Sequence, residues 1–191
     1  MSLFDFEMQS EEITAIPPAE EEDEIHNLSD TWVFWYLIPN RSGQVNDWNE
    51  YLHPLHSFST AEDFIRLLNS IEHPKKLLRG CRYYVFRSNS KPLWEHPAAV
   101  GGHFVSVEIA KDPERDSDIE RKWIELVQSI SEDEYPGGQT ILGIEYNSRP
   151  TSWKISIWTS AECDCVDQIK TRVETDFDLN YEVTISEISP D

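Results

Sequence analysis

The chain is 191 residues long, 39% hydrophobic and 12% aromatic, enough for one domain with a sizeable core. Its 36 Asp and Glu against 16 Lys and Arg leave a formal charge of −20. That balance excludes a broad, sequence-independent grip on nucleic acid, DNA included, because such binding neutralises many phosphates with a basic stripe.

Any phosphate contact must therefore be local. The three cysteines, Cys81, Cys163 and Cys165, are an odd number without metal-ligand spacing, and there is no apolar leader or membrane-length apolar run. A reduced, cytoplasmic setting is expected, with no cofactor, no metal and no membrane.

Residues 1–25 hold nine Asp and Glu and no Lys or Arg, with Pro17-Pro18 and an acidic run over 20–24. Too little apolar surface and strong self-repulsion predict a disordered, solvated tail, and residues 26–191 form the folded domain. The seven β-prone residues from Trp32 to Ile38, ended by Pro39-Asn40 and Gly43, predict a strand. A long loop bearing Trp48 follows. Ser59-Thr60-Ala61-Glu62 has capping-box spacing and opens a helix to about Ile71, with Phe64, Leu67, Leu68 and Ile71 as its buried stripe and Ala61 and Ile65 off it.

Residues 82–87 read as a strand, and 103–109 alternate with period two as a half-buried strand does. Between them lies a loop with Trp94-Glu95 and Gly101-Gly102. A second amphipathic helix fits 117–130, its face made by Ile119, Trp123, Leu126, Val127 and Ile130. Strands over 140–146 and 153–159 flank a turn at Arg149-Pro150. A third helix (Val166, Ile169, Val173, Phe177) and a strand over 182–188 complete the order. This predicts an α+β domain, a mostly antiparallel sheet with helices on one face and the second face open.

The chain has seven tryptophans, mostly beside charges or prolines. In Pro92-Leu93-Trp94-Glu95 an indole that can stack on an electron-poor ring is followed by a carboxylate that can accept paired N–H donors from a base edge. With Trp48 upstream and Trp158 downstream, these groups could read a guanine. On the residues alone Trp32, Trp35 and Trp123 are packing residues, Trp153 is unassigned, and Trp48 is equally a loop anchor folded over the core. There is no glycine-rich phosphate loop, HExxH, CxxC or GxSxG motif and no internal repeat.

Seven landmarks in order resemble the eukaryotic translation initiation factor 4E family, the mRNA 5′ cap-binding proteins. They are Trp32-x-x-Trp35, Trp48 followed ten residues later by Phe58, Glu62-Asp63-Phe64, Trp94-Glu95, Gly101-Gly102, Trp123, and Lys154 to Thr159 with Trp158. The resemblance covers the chain from about His26. It implies a strongly curved antiparallel sheet with three helices on its convex back, shaped like a cupped hand, and makes 26–191 a cap-binding domain with no enzymatic activity.

It further implies that Trp48 and Trp94 sandwich 7-methylguanine and that Glu95 accepts the base N1–H and N2–H. The Trp94 backbone N–H meets O6, and Trp158 packs against the N7-methyl group. Arg149 and Lys154 hold the phosphates, with Asn147 assisting through water. His103 stands where relatives commonly carry an arginine beside the phosphate path and Thr151 replaces a frequent lysine, so weaker phosphate binding is expected. The last predicted strand lies close to residue 191, and no longer loop closing over the cap is expected.

On the convex side, relatives hold a partner peptide containing Tyr-x-x-x-x-Leu with His-Pro-Leu and a helix tryptophan. Here the segment is His26-Asn27-Leu28, and Ile65 takes the tryptophan position. His26, Leu28, Ala61, Ile65 and Trp123 are the partner-facing candidates, and a scaffold of the 4G type or another 4E-binding protein is the expected partner of a monomer. Two other readings are a repressor or specialised isoform that occupies caps without the usual scaffold, and an interaction module that has lost cap binding. A cap hydrolase is disfavoured because clustered carboxylates for metal-assisted phosphate cleavage are missing.

Overall fold

The computed structural model describes residues 25–39, 48–177 and 181–189, with the side chains of Trp48 and Asn49 also outside the description. The predicted tail, apart from Ile25, lies outside the described residues. The elements in order are β1 (Asn27–Leu37), β2 (Leu52–Thr60), α1 (Ala61–Ser70), β3 (Arg82–Arg87), β4 (His103–Ala110), α2 (Asp116–Ser131), β5 (Ile141–Ser148), β6 (Ser152–Thr159), α3 (Val166–Asp176) and β7 (Val183–Glu187). The strands form one seven-stranded sheet in the order β2-β1-β3-β5-β6-β4-β7, antiparallel at every pairing.

Period-two alternation divides each central strand between two faces. One face supplies Phe34, Val85, Ile144, Tyr146, Val105, Val107, Ile155 and Ile157 to the main core, closed by Phe64 and Leu68 of α1, Trp123 and Val127 of α2, and Ile169 and Val173 of α3. Trp153 belongs to this face as packing. Its indole N–H donates to Asp116 Oδ1 at 2.8 Å and its ring lies 5.3 Å from Tyr146. The opposite face carries a smaller cluster of Leu37, Tyr84, Phe86, Leu142 and Trp158, with Trp35, Leu93 and Phe104 packed against it.

Strand β2 falls where the sequence predicts loop. It is an edge strand whose residues between Leu52 and Phe58 are exposed and include Pro54, so it carries neither alternation nor an unbroken apolar run. β1 also begins five residues earlier than predicted, because Asn27 pairs with Thr60 at the far end of β2.

The α1 cap shifts by one residue from the predicted box. Thr60 Oγ1 accepts the Asp63 N–H at 3.2 Å. Glu62, freed from capping, instead accepts His26 N–H at 3.1 Å and meets His26 Nδ1 at 2.7 Å, tying the start of β1 to the helix.

Arg87, at the end of β3, is 1% exposed. Its guanidinium donates to Asp30, Asp133 and the carbonyls of Ile141 and Gly138, and lies 4.6 Å over the Trp32 ring. Truncation would leave two carboxylates and two carbonyls without their shared donor. Arg87→Met is expected to lower the unfolding free energy by about 3 kcal/mol, read from the urea midpoint, and a loss below about 1 kcal/mol would assign those groups to solvent instead.

Candidate functional site

The open face of the sheet is ordered in rows that follow the strand register. Phe86, Gly143, Trp158 and Phe104 are paired across β3, β5, β6 and β4; Tyr84, Glu145, Ser156 and Ser106 form the next row; Arg82, Asn147, Lys154 and Glu108 form the third. The face therefore grades from aromatic, through acidic and hydroxylic, to cationic.

Ten residues of this face and its rim enclose a cavity of about 420 Å³: Arg82, Tyr84, Glu145, Asn147, Arg149, Lys154, Phe104 and Trp158 from the strands and their turn, with Pro92 and Trp94 from the loop after β3. The volume suits a small ligand such as a nucleotide.

The aromatic end is built around Trp158, which is 6% exposed. Phe104, Phe86 and Tyr84 pack edge-on against its ring at 4.6, 5.3 and 6.4 Å. Gly143 makes this possible. A Cβ there would fall 2.2 Å from Phe86 Cδ2, so only glycine lets the Phe86 ring lie flat on β5 beneath Trp158.

Trp94 is 46% exposed, on a turn pinned from several sides. Ser90 Oγ donates to Leu142 O, Gly101 N–H donates to Ile188 O, and Ile188 N–H donates to Gly102 O. The Gly101-Gly102 landmark has a steric cause, since a Cβ on Gly102 would sit 1.8 Å from Thr159 O.

Glu95 follows Trp94 on the exposed side of this turn and does not line the cavity. Neither the Trp94 backbone N–H nor the Glu95 carboxylate has a hydrogen-bond partner among the described residues.

At the cationic end, Arg149 Nη1 donates to Glu108 Oε2 at 2.7 Å, and Ser152 Oγ donates to the other oxygen of that carboxylate. The Ser152 bond first, then Arg149, hold the Glu108 carboxyl below the usual range. Burial holds the Lys154 ammonium below the ordinary lysine range, and repulsion from Arg149 and Arg82 works against the pull of Glu145 and Glu108. Asn147, 5% exposed, donates to Glu145 Oε1 at 3.2 Å, as does Arg82 Nη1 at 3.0 Å.

The structure thus brings Trp94, Trp158, Arg149, Lys154 and Asn147 together around one cavity. Trp48 opens a short 3-10 turn over Trp48–Tyr51, and its side chain lies outside the described residues. His103 is not brought to the cavity. It precedes Phe104, and alternation turns it to the opposite side of β4, where its Nδ1 is buried without a hydrogen-bond partner among the described residues.

Of the partner-facing candidates, His26, Ala61 and Ile65 line one shallow groove at the start of α1, with Ile65 40% exposed. Leu28 is half-buried against the core. Trp123 is 0% exposed and faces Phe34 and Tyr146, so the structure makes it core and not docking surface, as the apolar stripe of α2 requires.

Arg82, Tyr84, Phe104 and Glu145 were not anticipated as cavity residues. The available signal was charge inside otherwise apolar strands, Glu145 alternating with Ile144 and Tyr146 and Arg82 with Tyr83, but face assignment needs the pairing partner.

A model of the eukaryotic initiation factor 4E family matches residues 27–186. Eukaryotic translation initiation factor 4E-1 of Hordeum vulgare subsp. vulgare is 28% identical over 160 residues, covering 84% of this chain and 72% of its own. Among solved structures, Caenorhabditis elegans eIF4E-3 in complex with the 4E-binding protein Mextli superposes with a TM-score of 0.73 at 29% identity, over 83% of this chain and 93% of that one. Ascaris suum eIF4E-3 in complex with m7G cap gives a TM-score of 0.72 at 27% identity, over 88% of this chain and 94% of that one. The expected cupped-hand fold is therefore the fold of this chain.

Gly143→Ala is expected to push the Phe86 ring off β5 and unseat Trp158, costing about 1–3 kcal/mol of stability and altering the near-ultraviolet circular dichroism of the aromatic cluster. An unchanged spectrum would show that the floor tolerates a methyl group.

Proposed function

Because the chain belongs to the eukaryotic initiation factor 4E family, we propose that it binds the 7-methylguanosine cap of mRNA in translation initiation and presents it to a 4E-binding partner. The observation that carries this reading is the convergence of Trp94, Trp158, Asn147, Arg149 and Lys154, each assigned to the cap by resemblance, on one cavity. Relatives of the same fold were solved with m7G cap and with a 4E-binding protein.

In the proposed mode Trp94 and Trp48 stack on the methylated base. N7-methylation makes that base cationic, and a cation is drawn to the negative faces of indoles more strongly than neutral guanine is. Glu95 accepts the two N–H donors of the guanine edge, which adenine cannot supply, and Trp94 N–H donates to O6. Trp158 meets the methyl group, while Lys154 and Arg149 take the phosphates. For Arg149 this competes with Glu108, which keeps phosphate attraction moderate. Recognition is an equilibrium process, and no chemical step is assigned to the protein.

The convex groove of His26, Ala61 and Ile65 is the proposed partner site, for a scaffold of the 4G type or another 4E-binding protein. Ile65, apolar and exposed but lacking an indole N–H, favours a second reading in which the chain occupies caps with an altered partner set, as a repressor or specialised isoform would. Among the described residues no helix is long and apolar enough to cross a membrane. A cytoplasmic, monomeric protein is part of the proposal.

Quenching of tryptophan fluorescence is expected to saturate with 7-methyl-GTP and barely to occur with GTP, and Glu95→Ala to weaken the former on the order of 10- to 100-fold, as loss of a charged hydrogen-bond acceptor does. No response to either nucleotide would remove the cap-binding reading. Ile65→Trp is expected to raise affinity for a Tyr-x-x-x-x-Leu consensus peptide by roughly tenfold in fluorescence anisotropy; equal binding by both forms would place the partner elsewhere.

A further inference from the structure

A buried carboxylate is an unexpected occupant of a cavity meant for phosphates. Glu145 is 5% exposed and lines the cavity, with every oxygen engaged. Oε1 accepts from Arg82 Nη1 at 3.0 Å and Asn147 Nδ2 at 3.2 Å, and Oε2 accepts the Trp158 indole N–H at 3.3 Å. The pair is also oriented. Glu145 belongs to the row beside Phe86, Trp158 and Phe104, whereas Arg82 belongs to the next row, level with Asn147 and Lys154, about 7 Å further along the strands. The carboxylate touches the aromatic end of the cavity through the Trp158 N–H, and Arg82 enters from the row of Asn147 and Lys154 at the cationic end.

We propose that the Arg82–Glu145 ion pair is a specificity element of this cavity, selecting a ligand that is positive at its ring and negative beyond it. The inference rests on the cap-binding reading above and deepens it. A 7-methylguanine nucleotide is such a ligand, with a cationic base followed by anionic phosphates, so the dipole of the pair runs alongside an opposed dipole in the ligand.

Two effects act at the ring. The carboxylate adds a fixed negative charge near the methylated base, where burial limits screening. By accepting the Trp158 N–H it also pushes electron density into the indole, which strengthens attraction to a cation. At the other end Arg82 is a third cation lining the cavity beside Lys154 and Arg149, where His103 makes no contribution.

A purely structural role would not need this orientation, and a buried ion pair is by itself weak evidence for stability, since apolar residues of similar volume often replace one without loss.

The test titrates tryptophan fluorescence of the full chain with 7-methyl-GTP, GTP and the nucleoside 7-methylguanosine, so that one ratio reads the methyl group and another the phosphates. Glu145→Gln is expected to lower the 7-methyl-GTP to GTP affinity ratio roughly three- to tenfold and to increase the gain in affinity from nucleoside to triphosphate. Should that variant fail to fold by circular dichroism, the double variant Arg82→Met with Glu145→Leu takes its place, and both ratios are then expected to fall. A folded variant with an unchanged methyl ratio overturns the proposal and leaves cap binding standing. A native chain that binds no 7-methyl-GTP overturns both.

Discussion

Alternation along the central antiparallel strands governs everything else in this molecule. Because successive side chains must point to opposite faces, β3, β5, β6 and β4 can be apolar toward the helices and chemically varied toward the open side at the same time. Val85, Ile144, Val105 and Ile157 are thereby spent on packing, while Tyr84, Glu145, Ser156 and Ser106 form one row of a cavity wall. The helices seal only one face, so the other remains a concave surface whose composition is set row by row.

That open surface needs support of its own, and it comes from the cluster under Trp158. The close seat of Phe86 on Gly143 brings three rings edge-on to the indole, and the Trp94 turn is fastened to the same cluster through Leu93, Ala98 and Ala99. Trp94 itself is left half in solvent, which suits a group proposed to stack on an incoming base. Rigid floor and exposed wall are thus parts of one packing solution.

Charge is handled locally against an unfavourable background. A chain of formal charge −20 repels phosphates at long range, yet Arg82, Arg149 and Lys154 gather at one end of the cavity. Two of the three are already paired with Glu145 and Glu108, so the surplus of positive charge is small. Under the proposed function such a site depends more on the base than on phosphates, in keeping with the weaker phosphate binding expected from His103 and Thr151. On the other side of the molecule, the bond of Glu62 to His26 fixes the chain entering β1 against α1 and builds the groove with Ile65.

The amino-acid sequence by itself determined the order of every element except β2, the α+β class, the stripe of α1 through Phe64, Leu67 and Leu68, and the one-sided burial of β4, because local periodicity and turn chemistry express these directly. It also marked Trp94, Trp158 and Lys154 through landmarks whose order is specific to the family, and Arg149 as a positional match beside them. Tertiary structure alone decided the rest. Edge strand β2 has no periodic signal, since neither of its faces is buried along most of its length. The Thr60 cap depended on where β2 ended and on Glu62 being drawn to His26. His103 went to the core side because strand phase outweighs chain position, whereas the burial of Trp123 was already given by the α2 stripe. The Arg82–Glu145 pair joins residues 63 positions apart, and nothing but strand register places that carboxylate against Trp158.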